Sequence, residues 1–248
     1  MTDENLPDQP ASDSPDSPDS PDSPDAPPLG APALRGLITD WGGVLTNPIA
    51  ETVAAWLTAD GIDRDSYKTV MRSWLAQAYN EDIVTSPVRA LERGECTEAE
   101  FERLLAAELT LLDGGPVLAD GLLARMFAGS VLDEPMLDLV RAARRAGLRT
   151  ALLSNSWGAF YPRHLFAELF DAVVISAEVG MRKPERRIFQ LAVQQLGLEP
   201  GECVFIDDIE ENAAAAKAAG LAAVWHRTAA DTAEQLSALF GVSLLPPA

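Results

Sequence analysis

Five polar side chains end or directly follow short apolar runs, and their types suit metal and phosphate chemistry. Asp40 follows one run, Ser154 and Asn155 close a second, and Asp207 and Asp208 close a third. If the runs are parallel strands, these side chains meet at one edge of a sheet. Carboxylates that converge there repel one another unless a cation is present, and oxygen ligands suit a hard ion. The pattern therefore predicts a Mg²⁺ site.

A sixth residue, Lys183, adds a positive charge to this set. It lies just before Pro184, where we expect a loop to enter a helix. Free backbone N–H groups at a helix start attract anions, whereas a lysine there is mildly unfavourable with the helix dipole. The position of Lys183 therefore indicates a bound anion.

The elements that must position these residues alternate between strands and helices from residue 34 onward. Nearly continuous apolar runs predict strands that are buried on both faces. We expect helices at 184–196, with Pro184 in the first turn, at 210–219 and at 232–240, closed by Gly197, Gly220 and Gly241. The predicted strands are Leu34–Asp40, Arg149–Ser154, Ala172–Ser176, Cys203–Asp207 and Leu221–Trp225. This order predicts an α/β fold with a doubly wound parallel sheet.

The interval 48–129 interrupts the alternation, because it holds at least four helical stretches and no convincing strand. A capping-box pattern at Thr97–Glu100 predicts a helix that runs to about Leu112. The expected apolar stripes of these helices include Trp56, Trp74, Phe101 and Leu104. We interpret 48–129, the cap segment, as a helical cap inserted into a core formed by 34–47 and 130–248.

Residues 1–33 differ in composition from the rest of the chain. They contain seven Asp, one Glu and nine of the 18 Pro, without Lys or Arg. Such a segment has little to bury, which predicts a disordered acidic tail. A docking arm regulated by phosphorylation at its Ser-Pro steps is the alternative.

Charge and cysteine content restrict the partners and the compartment. The 38 acidic and 19 basic residues give a net charge of −19, which disfavours nucleic acid and anionic membranes as partners. No window approaches 18 uninterrupted apolar residues, and no secretory signal is visible. Two distant cysteines favour a reducing compartment, so we expect a cytoplasmic protein.

Four motifs in this order resemble the haloacid dehalogenase superfamily of aspartate-nucleophile hydrolases. They are Leu37–Thr46, Leu152–Ser156, Ser176–Pro184 and Val204–Asp208 with Asn212. The resemblance spans roughly residues 34–242 and implies a Rossmann-like core with a helical cap. It also implies a small phosphorylated substrate.

The resemblance assigns a role to each predicted site residue. Asp40 matches the nucleophile, which forms an aspartyl-phosphate, and Ser154, the Asn155 N–H and Lys183 match the groups that hold the phosphoryl oxygens. Mg²⁺ is expected on Asp40, Asp208 and the Gly42 carbonyl. Asp207 and Asn212 are expected to orient these groups.

Gly42 departs from the family pattern, because phosphatases of this superfamily usually carry an acid/base Asp at that position. General acid–base help is typically worth ~10²–10⁴-fold. We therefore expect poor turnover of alkyl phosphates and better turnover of substrates with good leaving groups. The Asp-Trp-Gly-Gly sequence looks like a variant of the first motif that occurs in the capped branch of the family. That branch is similar to the phosphatase domains related to epoxide hydrolases and to some sugar-phosphate phosphatases.

Three functions remain open at this point. A Mg²⁺-dependent phosphatase of a small metabolite is the leading hypothesis. A 2-haloacid dehalogenase needs no proton for its leaving halide, but Asp207 and Asp208 favour a metal enzyme. A non-catalytic phosphate-binding protein is the third alternative. Neither histidine fits as a catalytic base, because His226 follows the last predicted strand, away from the motif order, and His164 is expected in an amphipathic helix.

Overall fold

The computed structural model describes residues 33–79 and 86–244. The predicted acidic tail at 1–33 lies outside the described residues except for Ala33, so neither interpretation of it is tested. The described residues form one compact unit.

The core is a parallel sheet of five strands, as the sequence predicts. The strand order is β3-β2-β1-β4-β5, and all four neighbouring pairs are parallel. Every residue of β1 is buried, since helices cover both faces: Leu37 packs in one apolar cluster and Ile38 in another. The strands are β1 Gly36–Thr39, β2 Arg149–Ser154, β3 Ala172–Ile175, β4 Cys203–Asp207 and β5 Ala222–Trp225. This topology confirms the predicted doubly wound α/β fold.

The described part of the cap segment, 48–79 and 86–129, contributes five helices. They are α1 Ile49–Ala59, α2 Arg64–Tyr79, α3 Pro87–Glu92, α4 Glu98–Glu108 and α5 Leu122–Met126. They enclose an apolar cluster of their own that includes Trp56 and Phe101. An isolated bridge between Thr46 and Leu132 brings together the two ends of the segment. The division into cap and core at 47/48 and 129/130 stays a prediction.

Two expectations about α4 are wrong in detail. The capping box at Thr97 and Glu100 is present, but the helix ends at Glu108 because Leu109 is extended. Leu104 is half exposed, since the buried face of α4 is formed by Phe101 and Leu105, four residues apart.

Six further helices cover the sheet. They are α6 Glu134–Arg145, α7 Phe166–Leu169, α8 Ser176–Val179, α9 Arg186–Leu196, α10 Glu210–Ala218 and α11 Ala229–Phe240. Single 3₁₀ turns lie at Arg163–Leu165 and Pro200–Glu202. Gly197 and Gly241 close α9 and α11 in the left-handed conformation, as predicted.

The starts of α9 and α11 differ from the prediction. Pro184 does not lie in the first turn of α9, because Glu185 is extended and the helix begins at Arg186. Helix α11 begins three residues earlier than expected, where the Thr228 side chain accepts a hydrogen bond from the Asp231 N–H. Within 33–79 and 86–244, no helix is both long and apolar enough to cross a bilayer.

Candidate active site

The register of the central strands brings the predicted carboxylates together. Thr39 pairs with Ile206, so the next residues lie side by side: Asp40 directly follows β1, and Asp207 is the last residue of β4. The Asp40 N–H donates to the Ile206 carbonyl at 2.9 Å. One oxygen each of Asp40, Asp207 and Asp208 lies within 4.8 Å of the others. The sheet edge thus holds a compact group of three acids.

Lys183 lies between two of these acids and is fully buried. Its Nζ is 2.8 Å from Asp40 Oδ1 and 2.6 Å from Asp207 Oδ2. The Asn155 side chain fixes the Lys183 backbone, accepting from its N–H at 2.8 Å and donating to its carbonyl at 3.1 Å. The amide of Asn155 therefore positions Lys183, while a phosphate contact through the Asn155 backbone stays a prediction.

Asp207 is saturated by hydrogen bonds. Its Oδ2 accepts from Lys183, and its Oδ1 accepts from the Ile209 N–H at 2.8 Å and the Asn212 Nδ2 at 3.0 Å. Asp207 is thus held by Lys183, Ile209 and Asn212, and the orienting role expected of Asp207 and Asn212 stays a prediction. Among the described residues, the buried Oδ1 of Asn212 has no hydrogen-bond partner.

Asp40 and Asp208 keep oxygens that the protein does not engage. Asp40 Oδ1 accepts from the Trp41 N–H at 2.7 Å and from Lys183, and within the described chain Oδ2 accepts from no donor. Asp208 contacts no basic side chain of the described residues. Carboxylates at this spacing form a donor set that suits a hard divalent cation such as Mg²⁺.

The charge on these acids is costly without a cation. Burial raises the pKa of Asp40 to about 8; Lys183 opposes the rise, whereas Asp207 and Asp208 add to it. Burial and the Asp207 charge raise the pKa of Asp208 to about 6. Burial lowers the pKa of Lys183, but Asp207 and Asp40 outweigh it and raise that pKa overall. The site therefore combines carboxylates whose ionised forms a bound cation would stabilise with one lysine that keeps its positive charge.

Two glycines line the turn after Asp40. Gly43 has φ +73°, and a Cβ at this position would lie 2.4 Å from Asp208 Oδ2, so only glycine fits. A Cβ at Gly42 would meet only the flexible Ile49 side chain, 3.1 Å away at its Cδ1. Gly42 lines the cavity at the site, and its predicted carbonyl ligand stays a prediction.

Tyr161 is a site residue that sequence reasoning missed. Its hydroxyl lies 3.0 Å from Ser154 Oγ, and its ring packs edge-on against Trp41 with 5.9 Å between centroids. Burial raises the pKa of Tyr161 to about 12. Tyr161 lies in a loop after β2 with no motif of its own, so only the folded chain brings it to Ser154.

A cavity of about 530 Å³ opens onto this group and is lined by Asp40, Ser154, Lys183 and Asp208. Among the described residues of the cap segment, Glu92 is the one carboxylate in its lining. Glu92 accepts from the Trp157 Nε1 at 2.9 Å and from the Arg182 Nε. This buried contact joins α3 to two loops of the sheet edge, and the sequence held no signal for it.

The two histidines take no part in this arrangement. His226 is buried, with Nδ1 2.9 Å from Thr232 Oγ1, and His164 lies in the 3₁₀ turn rather than in the amphipathic helix expected for it. Neither residue lines the cavity.

Comparison with known proteins gives one family and several relatives. The sequence pattern of the haloacid dehalogenase-like hydrolases matches residues 34–220. Bifunctional epoxide hydrolase 2 from Sus scrofa is 26% identical over 228 residues, covering 86% of this chain and 40% of that protein. Phosphoserine phosphatase from Thermus thermophilus is 38% identical over 88 residues, covering 34% of this chain and 35% of that protein. The chain thus spans well under half the length of either relative.

A solved structure has the same fold. It is a HAD family enzyme from Bacteroides thetaiotaomicron, determined as a magnesium complex, with a TM-score of 0.61 and 23% identity. The match covers 83% of this chain and 99% of that one, so the similarity extends over the cap segment as well as the sheet.

Proposed function

Because the chain belongs to the haloacid dehalogenase-like hydrolase family, we propose that it is a Mg²⁺-dependent phosphatase of a small phosphorylated metabolite, with Asp40 as its nucleophile. One observation carries the proposal. Asp40 Oδ1 is fixed by Lys183 and the Trp41 N–H, while Oδ2 remains unengaged within the described chain, on a residue that lines the cavity. A carboxylate held by one oxygen can attack with the other.

The proposed reaction has two steps. Asp40 Oδ2 bonds to phosphorus as the bond from phosphorus to the leaving oxygen breaks, which gives an aspartyl-phosphate and an alkoxide or phenoxide that takes a proton from water. Water then attacks that phosphorus, releases inorganic phosphate and restores the carboxylate. Both steps require Asp40 without its proton. The 2.8 Å contact with Lys183 favours that state, and a bound Mg²⁺ would favour it further against the burial that raises the pKa of Asp40 to about 8.

Lys183 and Ser154 are proposed to hold the phosphoryl oxygens. Lys183 supplies a fixed positive charge, and Ser154 is a buried hydroxyl whose orientation is set by Tyr161. Asp40, Asp208 and the Gly42 carbonyl would hold Mg²⁺, whose charge offsets the repulsion between the nucleophile and the phosphate.

The unpaired Asp208 makes a phosphatase more plausible than a dehalogenase. A dehalogenase acts without a metal, so a partly buried third carboxylate without a basic partner among the described residues would only cost stability there. In a metal-dependent phosphatase the same carboxylate is a ligand. A non-catalytic phosphate-binding protein remains the alternative that turnover must exclude.

The direct test is hydrolysis of 4-nitrophenyl phosphate after treatment with a chelator, with and without added Mg²⁺. We expect turnover only with Mg²⁺, and its loss in Asp40→Asn. Asp120→Asn is the matched control, since Asp120 is exposed and does not line the cavity. Absence of turnover in the wild-type protein with Mg²⁺ would contradict the proposal.

A further inference from the structure

The cavity wall beyond the acids is apolar. Helices α1 and α2 and the chain after α5 contribute aliphatic and aromatic side chains, and the loop after β2 adds more. The apolar wall consists of Ile49, Val53, Met71, Leu75, Phe127 and Phe160. The cavity volume of about 530 Å³ is typical of a site for a small organic molecule.

Members of this wall are exposed although they are large and apolar. Leu75 is 38% and Phe160 47% exposed. The rings of Phe127 and Phe160 lie 6.2 Å apart, so two segments contribute to one apolar surface. Burial of such side chains against a bound molecule stabilises the complex, provided that the molecule is itself apolar.

Two polar groups beside the apolar wall are already engaged. Glu92 accepts from Trp157 and Arg182. Thr46 Oγ1 accepts from the Gly43 N–H and donates to the Asn47 carbonyl. Tyr67 and Ser130 add two hydroxyls to the described lining, and Lys183 is its only Lys or Arg, held by Asp40 and Asp207. A sugar or a free amino acid would therefore find few partners here for the hydrogen bonds that it loses to water, which is costly.

We propose that the substrate is the phosphate monoester of an apolar molecule, with its phosphate at Asp40 and Lys183 and its hydrocarbon body against the apolar wall. This inference rests on the proposed phosphatase function and adds the substrate class to it. The charge arrangement agrees, because the buried lysine lies in the cavity lining beside Asp40, whereas the six described side chains of the apolar wall carry no charge.

The test uses 4-alkylphenyl phosphates with methyl to hexyl chains, because the leaving phenol stays nearly constant along the series. We expect kcat/KM to rise with each added methylene until the chain outgrows the cavity. Complete burial of one methylene corresponds to a rise of about fourfold, which is the upper limit for each step. Phosphotyrosine is the polar counterpart, since it carries a zwitterionic body on the same phenyl phosphate. Its kcat/KM should lie about 10²-fold below that of 4-butylphenyl phosphate, equivalent to about three or four buried methylenes.

A pair of leucine variants locates the effect. Leu75→Ser should flatten the dependence on chain length. Leu104→Ser should not, because Leu104 is similarly exposed but does not line the cavity. Equal kcat/KM along the series, or phosphotyrosine as good a substrate as the butyl compound, would overturn the proposal.

A binding measurement separates this inference from the proposed function. Calorimetry with 4-butylphenyl phosphate and phosphotyrosine on Asp40→Asn protein needs no turnover. If no phosphate ester is hydrolysed, the phosphatase function fails, and preferential binding of the butyl compound still supports the apolar site. If 4-nitrophenyl phosphate is hydrolysed but neither rate nor binding depends on the alkyl chain, only the substrate class is wrong.

Discussion

Lys183 Nζ lies 2.8 Å from Asp40 Oδ1, and both side chains are buried at the edge of the sheet. A buried ion pair requires further hydrogen bonds to offset the loss of its hydration. Lys183 Nζ donates one to Asp207 Oδ2 at 2.6 Å, and the Asn155 side chain fixes the lysine backbone. The pair therefore orients the proposed nucleophile and neutralises part of its charge before any substrate binds.

Removing the lysine should destabilise the protein as well as inactivate it. Lys183→Met leaves Asp40 and Asp207 buried without their cation, a loss of about 3–5 kcal/mol for broken buried pairs. Urea unfolding at pH 8 without metal measures this loss. The exposed Lys217→Met is the control and should change stability by less than about 0.5 kcal/mol.

Asp208 should destabilise the metal-free protein as the pH rises. Its pKa is raised from 3.8 to about 6 on folding, so the folded state retains a proton that the unfolded state has lost. Ionisation of Asp208 therefore lowers the free energy of unfolding of the wild type between about pH 4 and pH 6. This deficit in stability persists at pH 8. Asp208→Asn removes the deficit, so its melting temperature should exceed the wild type at pH 8 and match it near pH 4.

The effect of Mg²⁺ on the melting temperature should also depend on Asp208. A ligand that binds only the folded state raises the melting temperature. Added Mg²⁺ should therefore stabilise the wild type and leave Asp208→Asn nearly unchanged. Equal stabilisation of both proteins by Mg²⁺ would move the metal site away from Asp208.

Tyr161 should act through Ser154. Tyr161→Phe removes one hydrogen bond to the Ser154 hydroxyl, and we expect kcat to fall by about 2–10-fold. A double-mutant cycle checks the route: in a Ser154→Ala background the same change should have no further effect. Additive losses in the double variant would show that Tyr161 contributes independently.

The missing carboxylate at Gly42 should make the rate depend steeply on the leaving-group pKa. A Cβ here meets only the end of the Ile49 side chain, so Gly42→Asp should fold. It should raise the rate for alkyl phosphates selectively, by up to ~10²-fold. Rates for aryl and alkyl phosphates of similar size in both proteins test this. A wild-type rate that is independent of the leaving group, with chemistry rate-limiting, would mean that another group donates the proton.

Local patterns predicted the sheet and the meeting of the acids, because strands buried on both faces have nearly continuous apolar runs. Once β1 and β4 are parallel neighbours, Asp40 and Asp207 must adjoin. Tyr161 at Ser154 and Arg182 on Glu92 were not predictable, since such contacts depend on how distant segments pack. The predicted end of α4 was wrong for a similar reason. Leu109 is extended although leucine has a high helix propensity, because packing in the folded chain decides where the helix ends.

The most direct test of the central claim is mass spectrometry of protein quenched in acid during turnover of 4-nitrophenyl phosphate with Mg²⁺. We predict that the peptide containing Asp40 carries one phosphoryl group, and that Asp40→Asn protein carries none. A phosphoryl group on another residue, or undiminished turnover by Asp40→Asn, would contradict Asp40 as the nucleophile.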